Sequence, residues 1–394
     1  MNLESVRRGW LAGLLPLLGG CSPKGVDGWF VDVWGKVVDE DGVPVVGAAL
    51  EVATPDGAPV GAATTDDQGF WHLPVYGTAL VGNSLVAAVT ADGLADARAV
   101  FDLNLRAPVT NLLGAGPWST WQTTDRRVYT VHMAREATAG LASGTVLDAT
   151  TGLPVAGLTL NVQHGANASI GDTVGTTVTT DTNGRFEFGG YPAGAYTVSM
   201  AESTSWAATR FPLFATEAGT TATGLVSAPV GLDELRASLS WQDPSRDLDL
   251  HFSAPLANGS AGEDGNGRYH VWSGEPTHPD DVPQGQDFEC VMELVASAGP
   301  GPETVHMTGV PGPGALRPSV VDMSAGDDGA STGLSDSRAV VQVWYSEDLA
   351  RYYEIDPAEP ATWWNPVEID DTTYVSYAIQ AYASGVDPAD PDAF

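Results

Sequence analysis

The fold of this chain is decided by a stretch that reads Ser143-Gly144-Thr145-Val146-Leu147-Asp148, then Gly152-Leu153-Pro154-Val155-Ala156-Gly157, then Leu160-Asn161-Val162. The same order of residue types occurs earlier, as Trp34-Gly35-Lys36-Val37-Val38-Asp39, Gly42-Val43-Pro44-Val45-Val46-Gly47-Ala48 and Leu50-Glu51-Val52. Short runs of β-branched and aromatic residues, separated by Gly, Pro, Asp and Asn, are typical of strands joined by tight turns. The pattern therefore predicts an internal repeat of all-β structure in two copies.

Each copy continues into a hairpin signal, Thr64-Thr65-Asp66-Asp67-Gln68-Gly69-Phe70-Trp71 in the first and Thr179-Thr180-Asp181-Thr182-Asn183-Gly184-Arg185-Phe186 in the second. Gly69 and Gly184 are expected to supply a positive φ at the turn, and Asp66 and Asp181 to accept local backbone amides. The alternation predicts six inward-pointing side chains, which are Val37, Leu50, Trp71, Val146, Leu160 and Phe186.

These motifs resemble the carboxypeptidase regulatory-like domain, a seven-stranded prealbumin-like sandwich. The resemblance covers about residues 29–104 and 142–215. It implies a non-catalytic accessory module, used as a spacer or for binding, with no active site to carry over. Between the copies, a stretch that ends at Met133 alternates like a strand and is predicted to close the first domain. The alternative is a packed linker that contains Trp118 and Trp121.

A third strand-rich region begins at Leu235 and contains Asp247-Leu248-Asp249-Leu250-His251-Phe252. It resembles a β-sandwich domain with a Trp…Asp-Leu-Asp-Leu-His strand, found in exported bacterial proteins. The predicted fold class is therefore all-β, with tandem β-sandwiches: two prealbumin-like or Ig-like modules and a larger C-terminal one. The predicted parts are a signal peptide at 1–20, a lipidated tether at 21–28, sandwiches at 29–136, 137–231 and 232–383, and a disordered tail at 384–394.

The N-terminus carries a short hydrophobic stretch behind Arg7 and Arg8 that ends in Leu18-Gly19-Gly20-Cys21. This stretch is too short to span a bilayer. It resembles a bacterial lipoprotein signal, which implies that Cys21 carries the lipid, including palmitate, and becomes the mature N-terminus. Ser22 in place of Asp after that cysteine favours the outer membrane. An ordinary signal peptide, or a short buried helix with a chance cysteine, is the alternative.

The composition excludes one class of partner and limits disulfide formation. The formal net charge is -33, which repels nucleic acid and anionic lipid headgroups, so a nucleic-acid partner is excluded. The chain has two cysteines, and lipidation of Cys21 would leave Cys290 without an intramolecular partner. Cys290 alternates with bulkier side chains and is predicted to be a small buried hydrophobic residue on a strand.

Alternate positions on one strand hold Asp247, Asp249 and His251, so their side chains are expected to share a face. Two carboxylates about 7 Å apart repel each other unless a positive charge lies between them. We therefore predict a Ca²⁺ ion held by Asp247, Asp249 and Asp322, with help from the loop Glu263-Asp264-Gly265-Asn266. The alternative is a solvated strand face on which Arg246 or Arg268 neutralises one carboxylate. His251 is expected to form a hydrogen bond to a neighbouring strand.

Aromatic residues are dense near the C-terminus, where Trp363 and Trp364 are adjacent. Neighbours on a strand point to opposite faces, so one of the two is predicted to be exposed and to bind a glycan or peptide by stacking. Trp344 continues a strand and is predicted to be a core residue.

The predicted function is a non-enzymatic, membrane-anchored lipoprotein that acts as a binding, adhesion or structural module of the cell envelope. Its C-terminal sandwich is expected to recognise a protein or glycan, and the calcium ion is the only cofactor predicted. The alternative is a surface hydrolase with its active site within 232–382.

Overall fold

The chain, in a computed structural model, is built almost entirely of β-strands. The structure describes residues 30–76, 84–102, 128–137, 139–168, 175–255, 268–277, 289–296, 301–309, 314–325, 331–345, 351–356, 360–370 and 376–383. The predicted signal peptide, Cys21, the tether, the tail and the Trp118–Trp121 pair lie outside the described residues. Within the described part, no helix is long and apolar enough to cross a membrane.

The first sandwich consists of two sheets with a shared core. Its strands are β1 (Phe30–Asp39), β2 (Ala49–Ala53), β3 (Pro59–Thr64), β4 (Phe70–Tyr76), β5 (Ser84–Thr90), β6 (Ala97–Asp102) and β7 (Val128–Met133). One sheet has the order β4-β1-β7 and the other has the order β3-β2-β5-β6. Strand β7 lies parallel to β1, so the alternating stretch that ends at Met133 does close the first sandwich, as predicted.

The second sandwich repeats this topology. Its strands are β8 (Gly140–Asp148), β9 (Thr159–His164), β10 (Gly175–Thr179), β11 (Arg185–Tyr191), β12 (Gly194–Met200), β13 (Thr209–Ala215) and β14 (Thr220–Val226). The sheet orders are β11-β8-β14 and β10-β9-β12-β13, and β14 lies parallel to β8. Strand for strand, the order is that of the first sandwich, so the internal repeat of the sequence is also a repeat of the structure.

The turn chemistry predicted for both copies is confirmed. Gly69 has φ 76° and Gly184 has φ 71°. The carboxylate of Asp66 accepts two backbone amides in its own turn, each at 2.9 Å. Asp181 accepts two in the same way, at 2.7 and 2.9 Å. The six side chains predicted to point inward are all buried in the two cores.

A glycine on the first strand of each copy makes room for the core aromatic residue. A Cβ added to Gly35 would lie 2.3 Å from the ring of Trp71, and one added to Gly144 would lie 2.4 Å from the ring of Phe186. Both distances are far below van der Waals contact, so a larger residue here would displace the aromatic ring. Packing against the core aromatic ring therefore requires glycine at Gly35 and Gly144.

The third sandwich is larger. Its strands are β15 (Glu234–Ser240), β16 (Leu248–Pro255), β17 (Arg268–Val271), β18 (Glu289–Leu294), β19 (Glu303–Thr308), β20 (Ala315–Asp322), β21 (Val340–Tyr345), β22 (Arg351–Glu354), β23 (Trp363–Asp370) and β24 (Ser376–Ala383), with a short helix α1 (Gly333–Asp336). The sheets have the orders β18-β19-β15-β21-β22 and β17-β16-β20-β23-β24. The predicted fold class, all-β with tandem sandwiches, is confirmed.

Cys290 lies on β18 inside the core of the third sandwich. It is 1% exposed, and burial raises the pKa of its thiol. A thiol held in its neutral form is a poor nucleophile and a good packing group. The prediction that Cys290 is a small buried hydrophobic residue is confirmed.

Candidate functional site

The predicted acidic residues lie at one end of two neighbouring strands. Asp247 directly precedes β16, Asp249 lies on β16, and Asp322 ends β20, which runs antiparallel to β16. The intervening Leu248 and Leu250 are buried in the core, so Asp247 and Asp249 are on the other face of the sheet, as the alternation predicted. Asp322 is paired with Leu248 and therefore lies at the end of the core-facing side, away from Asp249.

The carboxylates of Asp249 and Asp322 each have a partner in the protein. The hydroxyl of Ser273 donates a hydrogen bond to Asp249, and Arg246 Nη1 lies 3.3 Å from Asp322 Oδ2. Burial raises the pKa of Asp249, and the charge of Asp247 raises it further. Burial also raises the pKa of Asp322, against the opposing effect of Arg246.

No group of three or more His, Cys, Asp or Glu side chains in the described residues is placed to hold a metal ion. The loop 263–266 lies outside those residues. The calcium site therefore stays a prediction. Melting temperatures in CaCl₂ and in EDTA test it, with Asp249→Asn as the variant. A calcium shift that the variant loses would establish the ion, and no shift would remove it.

His251 contacts a neighbouring strand, as predicted. Its Nδ1 lies 2.8 Å from Nε2 of His270, which is on β17. The two imidazoles are stacked, with ring centroids 4.9 Å apart, and Trp272 stacks on His251 at 5.2 Å. Burial lowers the pKa of His270 to about 4, and burial together with His270 lowers that of His251. Both rings are therefore neutral at pH 7, which suits a hydrogen bond between them.

The expectation of one exposed tryptophan in the Trp363–Trp364 pair is wrong. Trp364 is fully buried in the core of the third sandwich, and Trp363 is 9% exposed. The physical reason is that both faces of the sheet are covered at this point of β23: Trp364 packs into the core, and Trp363 is buried on the opposite face. Neither side chain offers a stacking surface to a glycan or peptide, so binding at this pair finds no support.

Trp344 is a fully buried core residue, as predicted, but its core lies between two sandwiches. It packs with Ala149, Ala207, Leu225 and Val230 in a separate cluster. Ala149, Ala207 and Leu225 belong to the second sandwich, whereas Trp344 lies on β21 of the third. Trp344 therefore joins two sandwiches, because its face of β21 is the outer face of the sheet.

A buried glutamine lies beside Trp344 in this joint. Gln342 has no exposed surface, and its Oε1 accepts the amide of Leu225 at 3.1 Å. Its Nε2 lies 3.2 Å from the carbonyl oxygens of Arg210 and of Leu225. One side chain thus satisfies backbone groups at the ends of β13 and β14, which lie in different sheets of the second sandwich.

The first and second sandwiches are joined by backbone hydrogen bonds. The amide of Ala166 donates to the carbonyl of Arg98 at 2.8 Å, and the amide of Val100 donates to the carbonyl of Ala166 at 2.9 Å. The segment after β9 therefore extends the sheet at its edge strand β6. The next residue, Asn167, donates its amide to the hydroxyl of Tyr352 at 2.7 Å, which connects this joint to the third sandwich.

A cavity of about 350 Å³ lies where the three sandwiches meet. We call it the three-domain cleft. Its walls include Asp39, Glu40, Asp41 and His132 from the first sandwich, Phe214 and Thr220 to Thr223 from the second, and Trp241, Asp336, Arg338, Tyr352 and Glu354 from the third.

The electrostatics of the three-domain cleft centre on Glu354 and His132. Burial raises the pKa of Glu354 to about 7, and the charge of Asp356 acts in the same direction. Burial lowers the pKa of His132 to about 4, with contributions from Arg338 and Lys36. The hydroxyl of Thr130 donates to Asp356, so the first and third sandwiches are hydrogen-bonded beside the cleft. At pH 7 the imidazole is neutral and the carboxyl group is near its midpoint.

No motif in the sequence predicts this cleft. His132 and Glu354 are separated in the chain by 222 positions and come together only because three sandwiches pack in one arrangement. A weak signal was the pair Gln342 and Trp344, two residues on the same face of a strand whose other members are three valines and Tyr345.

Residues 142–226 match the carboxypeptidase regulatory-like domain family, so the chain contains one such domain, within the second sandwich. The match does not extend to the first sandwich, which shares only its strand order. None of the curated proteins matches the chain.

Among solved structures, the shaft pilin SpaA from Lactobacillus rhamnosus GG is 13% identical, with 52% of this chain and 99% of that chain covered and a TM-score of 0.19. The minor pilin GBS52 of Streptococcus agalactiae is 13% identical, with 50% and 97% covered and a TM-score of 0.20. The Bacillus anthracis TIE protein is 11% identical, with 72% and 49% covered and a TM-score of 0.19.

Proposed function

We propose that this protein is a non-enzymatic binding module of the cell envelope, anchored to the outer membrane through lipid on Cys21. Its ligand, a protein or a glycan, binds in the three-domain cleft, to which the third sandwich contributes Trp241, Arg338, Tyr352 and Glu354. The observation that carries the proposal is the cleft itself, a cavity of about 350 Å³ whose walls come from all three sandwiches.

The buried joints support a binding role because they hold the cleft walls in place before a ligand arrives. Gln342 and Trp344 fix the second sandwich to the third, and Ala166 fixes it to the first. A preformed site loses less conformational entropy on binding than one that must be ordered by its ligand. The second sandwich lines the cleft with threonines and Phe214, side chains suited to contact rather than to acid–base chemistry.

Ligand binding in the cleft is tested with the variant Arg338→Ala, since Arg338 is exposed and its side chain lines the cavity. Titration of the purified chain against arrays of glycans and peptides should identify ligands whose affinity falls at least tenfold in Arg338→Ala. Arg185→Ala, an exposed arginine on the second sandwich away from the cleft, is the matched control and should keep full affinity. Equal affinity in both variants would contradict the cleft as the binding site.

Activity assays distinguish the proposed binding module from the alternative, a surface hydrolase with its active site within 232–382. The purified chain is expected to give no turnover of peptide, ester or glycan substrates. Turnover that persists through purification and is lost in Glu354→Gln would contradict the non-enzymatic proposal.

The anchor is tested on the full chain expressed in a bacterial cell with an alkyne analogue of palmitate. The wild type should incorporate the label and sediment with outer membranes, and Cys21→Ser should do neither. Label on the Cys21→Ser variant, or its unchanged sedimentation, would contradict anchoring at this residue.

A further inference from the structure

Strand β14 is an edge strand that borders the three-domain cleft. Among the described strands it pairs only with β8, in the sheet β11-β8-β14, and its residues Thr220 to Thr223 line the cavity. An edge strand presents a row of backbone N–H and C=O groups that its own sheet leaves without partners. Where such groups face a cavity, they can pair with the backbone of a ligand.

The hydrogen bonds at the end of β14 show which of its residues point outward. The amide of Leu225 donates to Gln342 Oε1 at 3.1 Å, and the carbonyl oxygen of Leu225 accepts Gln342 Nε2 at 3.2 Å. The next residue, Val226, points the other way, because its carbonyl oxygen accepts the amide of Ala149 just after β8. The backbone groups of successive strand residues alternate between the two sides of the strand. Every second residue back from Leu225 therefore has the same outward direction, since the pairing with β8 has no register shift.

By this alternation, Thr221 and Thr223 direct their backbone N–H and C=O groups away from β8 and toward the cleft. Thr221 is exposed and Thr223 is half-buried. Gln342 covers the outer side of the strand at Leu225, farther along the chain. Among the residues that the structure describes, none forms a hydrogen bond with the outward backbone groups of Thr221 or Thr223. We call the stretch from Thr221 to Thr223 the open edge.

The neighbouring edge strand, β13, is protected by comparison. Its Arg210 carbonyl oxygen accepts Gln342 Nε2 at 3.2 Å, and its Phe214 carbonyl oxygen accepts the hydroxyl of Thr220. Pro212 lies between these two residues, in the same alternation, and has no N–H to offer. Proline on the outer side of a strand protects an edge from pairing with another strand. The two strands of the second sandwich that border the cleft thus differ, and only β14 retains an open edge.

We propose that the ligand of the three-domain cleft is an extended peptide that adds to β14 as a further strand and bonds to Thr221 and Thr223. This inference rests on the proposed binding role of the cleft and specifies its ligand. A peptide fits better than a glycan because another extended backbone presents donors and acceptors in the same alternation as the open edge. Sugar hydroxyls have no such fixed order at the spacing of a strand.

The charges of the cleft walls restrict the side chains of the peptide. The lining includes one arginine, Arg338, and a larger number of acids, which are Asp39, Glu40, Asp41, Asp336 and Glu354. Arg135 pairs with Glu40 and Asp41 and offsets one of these charges. A peptide with neutral or basic side chains should therefore bind more tightly than an acidic one. Arg338 is suited to donate to a carbonyl oxygen of the peptide, because a guanidinium group has only donors.

The first measurement is the affinity of the purified full chain for an array of acetylated and amidated octapeptides, with glycans on the same array. The tightest peptide is then N-methylated at one residue at a time. Only every second amide of an added strand donates to β14, so methylation should weaken binding at least tenfold at alternate residues and less than threefold at those between them. Bound peptide should also slow the hydrogen exchange of the Thr221 and Thr223 amides at least tenfold.

The variant Thr223→Pro removes one outward donor and leaves the pairing of β14 with β8 in place, as Pro212 does on β13. Its matched control is Thr177→Pro, at an exposed threonine on β10, the far edge of the sheet that contains β13. The backbone of Thr177 also points outward, because Thr180 donates its amide inward to Leu158 and the direction alternates. We expect at least tenfold weaker peptide binding in Thr223→Pro and wild-type binding in Thr177→Pro.

The outcomes separate this inference from the proposed function on which it rests. A methylation scan without alternation would overturn strand addition, as would wild-type affinity in Thr223→Pro or an array that binds glycans and no peptide. If binding nevertheless falls in Arg338→Ala, the cleft remains the binding site and only the peptide strand is wrong. Binding that is unchanged in both Arg338→Ala and Thr223→Pro would contradict the cleft itself. If Thr223→Pro does not fold, the methylation scan on the wild type decides alone.

Discussion

Glu303 illustrates how a single side chain completes a sheet inside the third sandwich. It has no exposed surface, and its two carboxyl oxygens accept the amides of Leu250 at 2.6 Å and Ala296 at 3.2 Å. Strand β17 pairs with β16 only from Phe252 onward, so Leu250 has no partner on that side. A buried amide without an acceptor would cost about 1–3 kcal/mol. Glu303 supplies the acceptor from the opposite sheet.

Loss of the proton from Glu303 should make the third sandwich less stable at higher pH. Burial raises the pKa of Glu303 from 4.5 to about 8, so the folded state keeps a proton that the unfolded chain releases. The stabilisation is complete below about pH 4.5 and is lost as the pH rises through about 8. The loss is on the order of a few kcal/mol. Unfolding free energies at pH 5, 6, 7 and 8 measure it.

Glu303→Gln removes the titrating group and also leaves one of the two amides facing an NH₂ group. A constant loss of about 1–3 kcal/mol is therefore expected at every pH. The informative quantity is the slope with pH, which should be smaller in Glu303→Gln than in the wild type. Glu187→Gln, on an exposed face, should keep the wild-type slope. Parallel curves for the wild type and Glu303→Gln would contradict the assignment.

Turn glycines give a second test at the residue scale. Gly69 and Gly47 have similar backbone angles, with φ 76° and 74°. Their surroundings differ: a Cβ on Gly69 would lie 2.7 Å from the carbonyl oxygen of Val37, whereas one on Gly47 would meet nothing within 4 Å. Gly47→Ala should cost about 1–2 kcal/mol for the left-handed backbone alone. Gly69→Ala should cost about 3 kcal/mol. Chemical denaturation measures both, and equal losses would show that the turn relaxes around the added methyl group.

Local sequence predicted the turn glycines but not Glu303, and the reason is the range of the interaction. A positive φ is a property of one residue and its neighbours, so Gly69 and Gly184 carry it in the sequence itself. The partner of Glu303 is an amide 53 positions away, and it needs an acceptor only because β17 is short. No pattern around Glu303 records that fact.

At the scale of elements, alternation assigned the two faces of each strand but not what covers them. Asp249 and His251 were placed on one face correctly, opposite the buried Leu248 and Leu250. The Trp363–Trp364 pair was misjudged because Trp363 lies on an outer face that is nevertheless buried. A period of two residues distinguishes one face from the other, and it carries no information about whether a neighbouring domain or water lies beyond the outer face.

Gln342 tests how much the joint between the second and third sandwiches contributes. Gln342→Ala removes the partners of buried backbone groups of Leu225 and Arg210 without enlarging a side chain. We expect a loss of about 1–3 kcal/mol in the coupling between the two sandwiches. In calorimetry, their unfolding should change from one transition toward two. Gln68→Ala, in an exposed turn, is the control, and an unchanged single transition in Gln342→Ala would show that Trp344 alone maintains the coupling.

At the scale of the whole molecule, the sequence predicted three sandwiches but not their arrangement. Strand patterns, turn residues and the repeat are local properties, so they identify each sandwich separately. The arrangement depends on contacts such as Ala166 with Arg98 and Thr130 with Asp356, which join segments far apart in the chain. Those contacts use ordinary threonine, alanine and backbone groups that no motif distinguishes. The three-domain cleft exists only through them, and sequence reasoning therefore had no access to it.

Glu354 makes the arrangement of the first and third sandwiches dependent on pH. Burial beside the cleft and the charge of Asp356 raise its pKa from 4.5 to about 7, and Arg338 opposes them. The packed arrangement thus holds a proton that separated sandwiches would release, so packing is favoured most below about pH 4.5 and weakens as the pH rises through about 7.

Distances between spin labels on the two sandwiches should broaden from pH 5 to pH 8 in the wild type. Glu354→Gln should keep the narrow distribution throughout, because an amide has no charge to desolvate, whereas Glu187→Gln should follow the wild type. A wild-type distribution that is the same at pH 5 and pH 8 would mean that the contacts of Gln342, Ala166 and Asn167 hold the three sandwiches together whatever the charge on Glu354.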